Sequence, residues 1–247
     1  MLMNHRTPWL ALGLLLTMLS VARVSVMQPI VMQVEAPLIS EAAWSAAIAK
    51  VTAGTSDTIQ IEKFVVTDEH LAQLVNVPVK QLHLNRGRIT DGGIQYLAPL
   101  RSLTAIRLRE SRLTDSGMRL LAECAGLDDI NLPQSQFTDV GLHELARLPK
   151  LRYLRFSSPQ VTEAGLCDLA QIKSLRWLHL IRVPVTPQVL TQLATLPKLE
   201  SLYVDDSPVD GTPANNAAWE AFFAARPEVH VHVNQTHHDR DPARHAH

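Results

Sequence analysis

Two cysteines in 247 residues leave room for at most one disulfide, and neither stands where a bacterial lipoprotein signal needs one. Excess charge is equally scarce. The formal net charge is -1, so no global basic field exists to draw in nucleic acid. No nucleophile elbow, phosphate-binding loop or helical pair of histidines occurs, so the sequence implies no cofactor and gives no ground for an enzyme.

What the chain does have is a period. Val66-Thr67, Ile89-Thr90, Leu113-Thr114, Phe137-Thr138, Val161-Thr162, Val185-Thr186 and Val209-Asp210 follow one another at steps of 23, 24, 24, 24, 24 and 24. A fixed period in the twenties marks a solenoid, in which one supersecondary unit stacks on copies of itself. Such a chain reads as a binding scaffold.

Within one unit, Ile89 to Arg112, Thr90 is placed to cap a helix and Asp91 to face the positive end of its dipole. Ile94, Leu97, Ala98 and Leu100 follow at helical spacing, and the alternation Ile106, Leu108 is that of a short strand. The expected fold is therefore α/β: a right-handed solenoid with a parallel sheet on one face and helices on the other. Gly93, Gly117, Gly141 and Gly165 recur early in the helices, where a side chain is expected to strike the neighbouring coil. Cys124 occupies a slot otherwise held by leucine or isoleucine and reads as core, whereas Cys167 falls on an exposed helical position. A pair so placed is not expected to bond. Asp68, Asp91, Asp115 and Asp139 recur with the period and read as structural.

Leu103-x-x-Ile106-x-Leu108-x-x-Ser111-x-Leu113 and its copies from Leu127, Leu151, Leu175 and Leu199 resemble the leucine-rich repeat. The Thr-Asp-x-Gly-Leu helix start is similar to the 24-residue bacterial type, close to the cysteine-containing repeats of F-box proteins. The resemblance implies that the outward strand residues line a concave binding face. One departure is plain. The ladder asparagine of that family is missing, and its slot holds Gly87, Ser111, Ser135, Pro159, Val183 and Ser207. Serine can bond to the neighbouring turn. Proline and valine cannot, so irregular turns are expected at Pro159 and Val183.

Five segments follow: 1-35, a signal peptide or membrane anchor with a linker; 36-58, a helical cap started by Ser40 and Glu41; 59-210, the repeats; 211-233, a cap helix and last strand; and 234-247, a disordered histidine-rich tail. His5 and Arg6 precede an apolar run from Trp9 to Ala22, followed by Arg23. Cleavage after Ala22 and retention as an anchor both fit, and both export the repeats. The expected location is the bacterial periplasm, or the inner membrane facing it. About eight strands at ~4.8 Å predict a sheet roughly 34 Å long.

The outward strand positions carry the candidate site. Arg107, Arg109 and Arg155 form a basic group, and Tyr153, Trp177 and Tyr203 form an aromatic diagonal beside His179. Arginine and aromatics are the residue types enriched at binding hot spots. The expected partner is a protein with an acidic and partly apolar surface. A second feature is histidine: His230, His232, His237, His238, His245 and His247 are six of the 11 in the chain. Imidazole ligates zinc, copper and nickel, so a divalent-metal role for His230, His232, His237 and His238 is the alternative reading. A structural spacer in an envelope complex is a third. Asn234-Gln235-Thr236 matches a glycosylation acceptor, relevant only to a secreted eukaryotic chain.

Overall fold

Each 24-residue unit becomes one coil because its sequence switches from a helical to a strand period once per copy. The computed structural model describes residues 31–207 and 213–237. In chain order the elements are α1 (Val31–Thr52), β1 (Thr58–Ile61), β2 (Val66–Thr67), α2 (Asp68–Ala72), β3 (Gln81–Leu84), β4 (Gly87–Arg88), α3 (Asp91–Ile94), β5 (Ala105–Leu108), α4 (Asp115–Leu121), β6 (Asp129–Leu132), α5 (Asp139–Glu144), β7 (Tyr153–Phe156), α6 (Glu163–Asp168), β8 (Trp177–Ile181), α7 (Pro187–Leu193), β9 (Ser201–Asp205), α8 (Pro213–Ala225), β10 (His230–Val233) and β11 (Thr236–His237). Leu38–His247 is one of two units of the chain and contains every repeat.

The main sheet runs β1-β3-β5-β6-β7-β8-β9-β10-β11, and β2 pairs with β4 in a separate two-stranded sheet. Its first eight strands are parallel, and β11 adds antiparallel to β10. Alternate strand residues point inward: Leu82, Leu84, Ile106, Leu108, Ile130, Leu132, Leu154, Phe156, Leu178 and Leu180 are fully buried. Each such side chain contributes roughly 1.5–3 kcal/mol. Helical residues such as Ile94, Met118, Leu142, Leu166 and Leu190 close the coil from the other side.

A row of aspartates locks coil to coil along the helix starts. Asp115 accepts from Thr138 N at 2.7 Å, Thr138 Oγ1 at 2.8 Å and Gly141 N at 2.9 Å. Asp68, Asp91 and Asp139 make the same paired contact to Thr90, Thr114 and Thr162. Each threonine then caps its own helix, as Thr90 does by accepting from Gly92 N. Glycine is required where the carboxylate crosses. A Cβ on Gly117 would overlap Asp91 Oδ1 and lie 3.1 Å from Asp91 Cγ. This is the collision expected from the repeat, with its partner now identified. The row stops at Glu163, and α7 starts instead with Pro187 after Thr186.

The asparagine slot is filled piecemeal. Ser111 Oγ donates to Gly87 O at 2.8 Å, and Ser207 Oγ accepts from Val185 N at 3.0 Å. At Pro159 the preceding serine takes over, with Ser158 Oγ donating to Phe137 O at 2.5 Å.

The structure corrects several expectations. Ser40 and Glu41 lie inside α1 rather than starting it, because the helix already begins at Val31. Trp44 is buried at the first coil, edge-on to His70 at 5.3 Å. The chain remains structured past 234: Thr236–His237 pairs with β10, so a tail beginning at Asn234 is set too early. Main-chain pairing on the exposed side of β10 is the cause. Cys167 is only half-exposed and packs against the core. Among the described residues no helix is long and apolar enough to cross a membrane. The apolar run Trp9 to Ala22, the pair Val209-Asp210, and His238, His245 and His247 lie outside those residues.

Candidate functional site

Strand pairing puts the outward residues into two rows on the solvent side of the sheet. One runs Gln81, Ala105, Asp129, Tyr153, Trp177, Ser201, His230, and the other His83, Arg107, Asn131, Arg155, His179, Tyr203, His232. Alignment of the last strand by sequence sets His230 beside Tyr203, and the pairing in the second row corrects this. His232, not His230, stands beside Tyr203, and His230 pairs with Ser201. A strand of the form Val-His-Val-His-Val looks the same when shifted by two residues, so only the pairing fixes it.

The aromatic diagonal becomes a ring cluster at the C-terminal coils. Trp177 and Tyr203 lie with ring centroids 5.1 Å apart, Trp177 and His179 5.6 Å, and His179 and Tyr203 5.5 Å. Tyr203 also meets His232 at 4.7 Å, and His232 meets His230 at 4.6 Å. Tyr153 pairs in register with Trp177 but holds the Arg152 guanidinium 5.5 Å over its own ring. At 37% exposure it is the open edge of the cluster. His179 Nε2 bonds to Asp205 Oδ2 at 2.9 Å, and Asp205 Oδ1 accepts from Gln235 N at 3.1 Å. Burial nonetheless lowers the His179 pKa, with the Asp205 bond opposing it and Arg155 adding to it.

The basic group is assembled as well. Burial depresses the Arg155 pKa, and the positive charges of Arg107 and Arg109 depress it further, with Asp205 opposing. Arg107 Nε and Arg155 Nε are buried with no protein partner, as are Asn85 Oδ1 and Asn131 Oδ1. Burial, and then Arg107, also hold the His83 pKa down. A buried donor left without a partner costs about 1–3 kcal/mol. This face therefore carries polar groups that the fold does not satisfy.

A large recess lies away from the sheet face. It opens at the N-terminal edge of the sheet, encloses ≈ 790 Å³, and is lined by Arg152, Arg176 and Arg226. These arginines are already paired with Asp128, Glu200 and Glu228. The three arginines of this recess are thus held by internal ion pairs, whereas Arg107 and Arg155 on the sheet are not.

No family model matches the chain. No curated protein matches it. Among solved structures, internalin C2 of Listeria monocytogenes superimposes with a TM-score of 0.54 at 22% identity, over 77% of this chain and 92% of that one. The fold is a leucine-rich-repeat solenoid. A second internalin of the same organism gives a TM-score of 0.42 at 17% identity, over 60% of this chain and 45% of that one.

On this leucine-rich-repeat sheet, the structure brings together Trp177, His179 and Tyr203, and separately Arg107, Arg109 and Arg155. His230 and His232 join the rings. Among the described residues no group of three histidine, cysteine or carboxylate side chains is placed to hold a metal ion. Nothing in the repeat pattern marks Asp205, which bonds to His179, or Asp129, whose pKa burial and then the neighbouring Asp128 raise to about 6. Asn234 Oδ1 accepts from Asp206 N at 2.8 Å, so the amide of the glycosylation motif helps hold the last turn.

Proposed function

We propose that this protein is a non-catalytic scaffold that recognises a partner protein through the sheet face of its repeats, with Arg107, Arg109, Tyr153, Arg155, Trp177, His179 and Tyr203 as contact residues. The partner presents an acidic and partly apolar surface. The observation that carries this reading is the ring cluster centred on Trp177 and Tyr203, standing on the solvent side of a rigid sheet. Aromatic side chains supply large contact area at little entropic cost, and rigid presentation lowers the cost of binding. The repeat pattern requires none of these residues, which supports a role other than folding. The Thr-Asp-x-Gly-Leu helix starts favour the 24-residue bacterial subclass. The apolar N-terminal run favours export, to the periplasm or to the inner membrane facing it.

The test is capture of partners from a cell-envelope extract by the full-length protein, read by mass spectrometry. A protein retained by the wild type and by Arg147→Ala on the helix side, but lost with Trp177→Ala and with Tyr153→Ala, supports the reading. Equal retention by all four overturns it.

A further inference from the structure

The charges around the sheet are distributed unevenly. In the row just before the strands, Lys80, Arg152 and Arg176 are each paired with a carboxylate from an adjacent coil, Asp57, Asp128 and Glu200. At the other end of the strands, Arg86, Arg88, Arg109 and Arg112 are exposed. With Arg107 they put five guanidinium groups on the two adjacent coils of β3 and β5. Among the described residues none of the five has a carboxylate oxygen within 4.0 Å. Arg88 and Arg112 share a recess of ≈ 540 Å³ with Thr90, Glu110 and Gln134. Glu110 is the one acid in that recess.

The patch is also bounded. Glu62 stands one coil before it, and Asp205 and Asp206 stand at the ring cluster beyond β7. A long polyanion laid along the sheet meets carboxylates at both ends. A short acidic segment does not. The midpoint of β3 and β5 and the midpoint of β8 and β9 are four strand spacings apart, about 19 Å at ~4.8 Å each. An extended peptide covers that distance in about six residues at ~3.3 Å per residue.

We propose that the sheet face, together with the turns that follow β3 and β5, reads a bipartite extended peptide segment of its partner: two or three carboxylates over Arg107 on the sheet and Arg86, Arg88, Arg109 and Arg112 on those turns, and an aromatic side chain over Trp177 and Tyr203, about six residues apart. This rests on the sheet face being the partner surface. The guanidinium fork suits carboxylates because it binds them through two parallel hydrogen bonds. Arg155 lies between the two ends, in register with Asn131 and His179. Asp205 and Asp206 repel the acidic end from the ring cluster and so fix which end lies where.

Fluorescence anisotropy with the full-length protein and labelled synthetic peptides tests this. The probe carries three glutamates, a neutral Ser/Thr spacer of six residues, and a tryptophan. It is expected to bind about tenfold tighter than versions with Gln for Glu, with Ala for Trp, or with the spacer cut to two residues. Arg109→Gln with Arg112→Gln should erase the advantage of Glu over Gln while keeping that of Trp over Ala. Trp177→Ala should do the reverse. Circular dichroism melts check that each variant is folded. Indifference to spacing overturns the proposal, as does a sulfated polysaccharide or oligonucleotide that displaces the probe with the same arginine dependence. If the Trp preference survives without a Glu preference, the bipartite segment fails and the sheet-face reading stands. If Trp177→Ala and the arginine variants all bind like wild type, the sheet-face reading itself fails.

Discussion

The helix-start row and the sheet-face row run along the same coils and follow opposite rules. In the helix-start row every partner is internal: Asp91 accepts from Thr114 N at 2.9 Å, and the glycine that makes room is set one period away. On the sheet face the residue type changes from coil to coil, and Arg107 Nε, Asn131 Oδ1 and Arg155 Nε are buried without partners. A row that repeats and satisfies itself holds the fold. A row whose residue type varies from coil to coil is not tied up by the repeat. Stability is thereby tied to the helix-start side of the coil, and the sheet side is left for the proposed recognition.

The sharpest attempt to break this contrast is a double-mutant cycle on the helix-start row. Gly117→Ala should lower stability by about 3 kcal/mol in urea unfolding, because its Cβ would overlap the Asp91 carboxylate. Asp91→Ala should cost about 2 kcal/mol by removing two bonds to Thr114. Together they should cost less than the sum by more than 1 kcal/mol, since the second change removes the clash. Strict additivity would show that the carboxylate and the glycine are not matched.

A smaller effect is expected from Asp129, which lies on the sheet face. Its pKa is raised to about 6 from 3.8, so the folded state favours the protonated form. That contribution is fully present below pH 3.8 and is lost as pH rises through about 6. Asp129→Asn should therefore gain about 1 kcal/mol over wild type at neutral pH, after allowance for solvent screening, and nothing at the acid end. A gain that is the same at both ends of the pH range would place the cause outside this titration.

The smallest effect is expected at Arg155. Its Nε has no partner and its charge sits among Arg107 and Arg109. Arg155→Met should leave stability unchanged or raise it by roughly 0.5 kcal/mol, measured by thermal melts, while weakening partner capture. A loss of stability as large as that of Asp91→Ala would erase the distinction between the two rows.

Much of the fold was legible in the residues. The step of 24 placed Gly93, Gly117, Gly141 and Gly165 correctly against a neighbouring coil, because close approach leaves the same trace in every copy. The target of that approach was not legible, since an aspartate at a helix start looks like an ordinary dipole partner until the next coil is stacked on it. At the site, the outward strand positions could be written down from the alternation alone. Tyr153 shows the limit: its place beside Trp177 follows from register, but the Arg152 guanidinium 5.5 Å over its ring does not.

By itself the sequence determined the period, the inward apolar set and the helix starts, because those rest on spacing along the chain and on chemistry that recurs. Only the tertiary structure decided that His232 rather than His230 joins Tyr203, that Asp205 turns to His179, and that among the described residues Arg86, Arg88, Arg107, Arg109 and Arg112 have no carboxylate within ion-pair distance while Arg152 and Arg176 do. Each of these depends on a neighbour about one coil away in sequence and within hydrogen-bond or ion-pair reach in space, and a short pattern carries no record of which neighbour that is.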